Sequence, residues 1–216
     1  MTAESFKARL RPGMGAGEIF ALAKEFIDLP PGEISRLLDS PAHDARVGAL
    51  SIMDKQARRK STPDTRRKEL YDLYLGRMDA IGTWDLVDLG APWVIGRYLA
   101  DRPRDVLYSL AASENPWERR TAIVSCLFFV RQGEVGDTFA IAAILARDPH
   151  DYVRKATGGL LREAGKKDQP RLLSFLDEHA ASMPREMLRY ATERLDKPVR
   201  QAYLSLQPKY ARNRPA

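Results

Sequence analysis

NPWERRTAIVSCLFFV, residues 115–130, reads as a helix with its start written into it. Asn115 is a good N-cap. Pro116 fits the first helical position, where no amide is needed, and Glu118 stands three residues after the cap. Ala122, Ile123, Cys126, Leu127 and Val130 then recur at helical spacing and make one apolar stripe. The same device appears twice more: RDPHDYVRK offers Asp148 and Pro149 as a start, and DSPAHDARV offers Ser40 and Pro41. Period-2 alternation with β-branched residues persists nowhere, so the chain is expected to be all-α.

The helices also repeat. RTAIVSCL from Arg120 aligns with RVGALSIM from Arg46, RKATGGLL from Arg154 and, more weakly, RYATERLD from Arg189. Arg154 follows Arg120 by 34 residues, and Arg189 follows Arg154 by 35. A period of that length with two helices per unit predicts an α-solenoid of HEAT-like repeats, curved, with a basic concave face. One such domain is expected over residues 1–216, with repeats from about 13 to 206 and a basic, frayed tail over 207–216.

GTWDLVDLGAPW, residues 82–93, falls into the same register. Asp88 lies 32 residues before Arg120 and 42 after Arg46. One slot of the repeat then holds Arg46, Asp88, Arg120, Arg154 and Arg189. Four arginines and one acid are an uneven filling for a merely solvated position. The alternative for each arginine is a cap or a bridge between neighbouring helices. Trp84 stands four residues before Asp88 and shares its helix face. One reading makes Trp84 core and Asp88 solvated. The other makes them a site where a ring holds a ligand and a carboxylate acts on it.

Composition sets the outer limits. The chain has 216 residues, 44% hydrophobic and 30% charged, as an ordinary folded protein has. Lys and Arg number 35 against 29 Asp and Glu, a net charge of +6 that permits an anionic partner without requiring one. The one cysteine, Cys126, lies in an apolar run and reads as a buried free thiol. His43, His150 and His179 have no metal-ligand spacing, and no local phosphate-loop or triad motif is present, so neither metal nor cofactor is expected. No apolar run reaches the roughly 20 residues of a membrane helix, and the first residues lack a signal-peptide core. A cytoplasmic monomer is expected. KQARRKSTPDTRRK, residues 55–68, carries seven basic residues and one acid; it reads as a solvated loop, or as a grip on phosphates.

LLDSPAHDARVGALSIMDKQAR, TWDLVDLGAPWVIGRYL, NPWERRTAIV and KATGGLLREAGK, taken in order, resemble the AlkD-like DNA alkylation repair family. The resemblance runs from about Gly13 to about Leu204. It implies a HEAT-like solenoid that binds duplex DNA in a basic groove, at the nucleoid, and removes N3- and N7-alkylated purines. The family's W-x-x-x-D motif falls on Trp84 and Asp88. The arginine of its W-x-x-R segment falls on Arg120, with Trp117 three residues before it. The resemblance implies that Asp88 sits near the anomeric carbon and orients water, that Trp84 packs on the deoxyribose, and that Arg120 holds a phosphate near the lesion. Arg46, Arg154 and Arg189 are the further candidates for DNA contact.

The chemistry explains how so little machinery could suffice. Glycoside hydrolysis ordinarily needs two carboxyl groups, one of them an acid. A purine alkylated at N3 or N7 is already cationic and leaves as a neutral base, so the acid is dispensable. What remains is an oxocarbenium-like sugar, which a carboxylate stabilises. Many glycosylases flip the base into a pocket; this family acts without one, in keeping with the missing pocket motifs. Two departures stand against the pattern. Where the family usually has a tryptophan, Gly159 and Leu160 stand. The turn GMGAGE before the second helical segment carries no side chain suited to DNA contact, and the further helices that the family has ahead of it are expected to be missing. The readings are therefore a glycosylase, a non-catalytic DNA-binding repeat protein for damaged or branched DNA, and a protein-interaction solenoid. Trp84, Asp88 and Arg120 together argue against the last.

Overall fold

The computed structural model describes residues 1–206; the tail expected to be frayed, residues 207–216, lies outside them. The described residues form helices and turns with no strand, as the sequence predicts. They fall into two compact units, divided between residues 103 and 104.

The N-terminal unit is built around one long helix. Its elements are α1 (Ala3–Lys7), α2 (Ala16–Glu25), α3 (Pro31–Leu38), α4 (His43–Arg58), α5 (Asp64–Gly76), a 3-10 turn (Met78–Ala80) and α6 (Trp84–Gly90), which runs on into a π-helical turn (Ala91–Gly96). α4 is buried on nearly every side from Ala45 to Ala57, because α2, α3, α5 and α6 all pack on it. Gly48 makes room for α1: a Cβ there would lie 2.3 Å from the Phe6 ring. Phe6 in turn meets Phe26 edge-on at 5.2 Å. The π turn has a local cause. Pro92 brings no amide to the helical ladder. The Arg97 amide donates to the Pro92 carbonyl five residues back, at 3.1 Å, and the helix widens there.

The C-terminal unit is a row of helices: α7 (Asp105–Ala111) packs on α8 (Pro116–Gln132), α9 (Gly136–Ile144) and α11 (Gln169–His179) pack on α10 (Asp151–Gly165), and α12 (Arg185–Ala191) and α13 (Lys197–Ser205) follow. α8, α10 and α12 lie side by side. Gly158 sets the α10–α12 spacing, since a Cβ there would meet the Met187 carbonyl at 2.5 Å. This is a helical-repeat arrangement, as the repeat period predicts. Arg104 ties α7 to α9 through Asp137 and Glu134, 2.6 and 2.7 Å away, with its guanidinium 3.7 Å from the centre of the Phe129 ring. Cys126 is fully buried; burial pushes its thiol up to about 12, which makes it inert.

Two predicted helix starts shift by two residues. Asn115 caps α8 as expected, its side chain accepting from the Trp117 amide at 2.9 Å. Asp148 and Ser40 do not cap their helices. Each accepts from the amide two residues on, at 2.8 Å from His150 and 3.2 Å from Ala42, and so forms a turn ahead of the helix. The caps are His150 for α10 and Ala42 for α4.

Candidate functional site

The inner face of α6 fixes what its outer face presents. Leu86, Val87 and Gly90 turn inward. A Cβ on Gly90 would lie 2.6 Å from Leu50 and 2.7 Å from Tyr74, so only glycine lets α6 approach this closely. With that side pinned, the 3.6-residue period turns Trp84, Asp85, Asp88 and Leu89 outward. They line a cavity of about 450 Å³ in the N-terminal unit. Its other walls are Met14, Ile19 and Phe20, and His43, Asp44 and Val47 from α4.

The cavity is apolar with an acidic rim. Trp84 is 48% exposed and Phe20 37%, two large rings left open to solvent on one hollow. Fully burying a large apolar side chain is worth about 1.5–3 kcal/mol, so Trp84 is not serving mainly as core. Asp88 is exposed beside it. Among the described residues that line the hollow are three carboxylates and no Lys or Arg. Such a site favours developing positive charge and disfavours phosphate.

A polar clamp organises the mouth. His43, first residue of α4, places Nε2 2.7 Å from Oδ2 of Asp85, the residue after Trp84. Burial opposes ionisation of Asp85, but the Thr83 hydroxyl and the His43 ring outweigh it and hold the carboxyl below the usual aspartate range. The clamp joins the starts of α4 and α6. Sequence reasoning missed it because 42 residues separate its members, although Asp85 sits inside the W-x-x-x-D motif.

The arginines of the repeat are held in different ways. Arg120 is buried, and its guanidinium donates to the Tyr152 carbonyl in the first turn of α10. Its neighbour Arg119 grips buried Asp148 through two nitrogens, at 2.6 and 3.1 Å. Arg154 folds onto the turn before its own helix, donating to the carbonyls of Asp148 and Pro149 and to Asp151. Arg46 is half-buried, with Nε lacking a hydrogen-bond partner among the described residues. Arg189 is exposed beside Tyr190 and Arg200. Trp117 packs at the start of α8 with its ring centre 5.4 Å from His150 and 5.7 Å from Tyr152. Gly159 and Leu160 differ sharply: a Cβ on Gly159 meets nothing within 4 Å, whereas Leu160 is core.

The basic segment 55–68 is largely engaged within the chain. Arg58 binds Asp54 and stacks 4.3 Å from the Trp93 ring centre; Arg59 reaches Asp28, Arg66 Glu69 and Lys68 Asp72. Arg67 donates to the Ala57 and Arg59 carbonyls. Among the described residues no group of three or more ligands could hold a metal, and no helix is long and apolar enough to cross a membrane.

An all-helical repeat protein with an open tryptophan and a carboxylate on one apolar hollow is the class that fold and site define. The chain matches the family model of the DNA alkylation repair enzyme over residues 4–195, and it belongs to that family. Its role therefore lies in DNA alkylation repair. A comparison with the curated proteins found no match.

Proposed function

We propose that the protein is a DNA glycosylase that removes cationic N3- and N7-alkylated purines from duplex DNA. The observation that carries this reading is the half-exposed Trp84 next to Asp88 on one acid-rimmed apolar hollow. The bond from C1′ to the purine nitrogen breaks, and its electron pair leaves with the base, which departs neutral. Asp88 stabilises the positive charge left on the sugar and orients the water that adds to C1′; the water's proton passes to solvent. Trp84 packs against the deoxyribose, and its ring face adds on the order of 1 kcal/mol beside a cationic centre. Because the hollow is acidic, phosphate contacts come from other residues. Arg189 is the most accessible of them, with Trp117, Arg154 and Arg46 as further contacts of the DNA backbone; Arg120, buried against the Tyr152 carbonyl, positions the start of α10 instead.

The test follows release of 7-methylguanine and 3-methyladenine from methylated duplex in single turnover, with protein in excess. Asp88→Asn keeps the side chain's size and removes its charge. Loss of that electrostatic stabilisation lowers the rate about a hundredfold or more, while affinity for undamaged duplex holds or rises. Equal release by both proteins at the spontaneous rate sinks the catalytic assignment. A non-catalytic DNA-binding protein is then the better reading, and the open space over Gly159, where the family usually has an aromatic wall, favours it.

A further inference from the structure

The C-terminal unit carries a second hollow, of about 340 Å³, at the far end of α10. Arg162 from α10, Lys166 and Lys167 just after it, Gln169 at the start of α11 and Arg194 after α12 line it. The hollow exists because of Gly165. A Cβ there would lie 2.3 Å from Leu172, so glycine lets the first turn of α11 close against the end of α10.

Its charges are unequally matched. Arg162 pairs with Glu193 at 2.5 Å and Glu163 at 3.1 Å, and Lys166 pairs with Glu163 at 2.7 Å. Those two glutamates hold both cations in place from outside the hollow. Asp168 is turned to the Arg171 amide of its own helix at 3.0 Å. The side chains of Lys167 and Arg194 are exposed; no salt bridge fixes either, and Arg194 feels the charge of Glu193, which Arg162 already holds. Two paired cations thus stand beside two that no salt bridge fixes, with an amide side chain next to them. Among the described residues no aromatic ring lines the hollow, so they offer a nucleobase no stacking surface. Its chemistry suits a phosphate group.

We propose that this hollow binds a backbone phosphate of duplex DNA through Lys167 and Arg194. Lys166 stands fourteen residues after Tyr152, the start-of-helix residue whose carbonyl Arg120 holds. At 1.5 Å per residue that is about 20 Å along α10, so the phosphate is a different one from any held at the Arg120 end. The proposal rests on DNA as the partner and needs no base excision.

The experiment uses the full chain carrying Lys167→Gln and Arg194→Gln together, with the folded state checked by circular dichroism. Duplex affinity is measured by fluorescence anisotropy over a range of sodium chloride concentrations. The expected result is a loss of about tenfold at low salt and a log–log salt slope shallower by about one to two. The charge-preserving pair Lys167→Arg and Arg194→Lys keeps both. Single-turnover release of 7-methylguanine at saturating protein stays at the wild-type rate, which separates this site from the Asp88 reading. Inorganic phosphate is titrated in parallel by calorimetry. Loss of phosphate binding with duplex affinity unchanged identifies a site for free phosphate and overturns the DNA contact. No change in either measurement overturns the site altogether.

Discussion

Asp88 and Arg120 fall in the same slot of the repeat and have opposite surroundings. Asp88 stands exposed at the rim of an apolar hollow, one helical turn from an open tryptophan. Arg120 is buried and donates to a carbonyl of the next helix. Its neighbours follow suit: Arg119 locks Asp148, and Arg154 closes the turn that leads into α10. Asp88 faces solvent, while Arg120 and Arg154 are held on backbone carbonyls. A charged position that recurs through a repeat need not do one job; whether it faces a groove or a neighbouring backbone is settled by local packing.

That contrast can be broken most directly by stability. Arg120→Met removes a buried charged donor and leaves the Tyr152 carbonyl unsatisfied, which costs about 2–3 kcal/mol in urea unfolding. Asp88→Asn costs under about 1 kcal/mol. Equal losses would erase the distinction between the two slots. A second comparison sharpens the C-terminal side. Leu160→Trp overpacks the core and loses about 1–3 kcal/mol. Gly159→Trp projects into open space and replaces a helix-interior glycine, so it holds or gains about 0.5 kcal/mol. If Gly159→Trp also speeds base release, the missing wall has been rebuilt.

Smaller effects are expected at the N-terminal hollow. Trp84→Ala slows excision about five- to tenfold, the worth of one ring contact, and shifts the unfolding midpoint little because the ring is already half open. The smallest effect is the clamp. The native pKa of Asp85 is lowered, so its contribution to stability is full above the ordinary aspartate value of about 3.9 and is lost as pH falls through the lowered native value. The pair is partly exposed, which limits it to a few tenths of a kcal/mol, roughly. Asp85→Asn should therefore differ from wild type at pH 6, and the gap should close as pH falls through that range. A gap that widens on acidification reverses the assignment.

The helices and their repeat were legible because apolar spacing and helix starts are local signals. The shifts at Ser40 and Asp148 arose where a good capping side chain was taken by a turn two residues earlier. The pairing of Trp84 with Asp88 followed from spacing alone. Its hollow did not, since Phe20, His43 and Leu89 meet only after α2, α4 and α6 have packed. The sequence likewise could not tell an arginine aimed at solvent from one aimed at a carbonyl. The basic run at 55–68 read as a solvated loop or as a grip on phosphates, whereas its charges have partners as near as Asp54 and as far as Asp28.

The π turn after α6 has a rotational consequence. A widened turn amounts to one residue more than an α-helix needs, and each residue of an α-helix turns the chain by about 100°. Deleting Ala91 would remove that extra residue and would swing everything before the deletion by more than a quarter turn against everything after it. Trp84 and Asp88 would then leave the hollow together, or Val94 and Ile95 would leave the core. Pro92 and the turn around it thus act as a phase setting: they decide which way an otherwise ordinary amphipathic helix points its tryptophan and its acid.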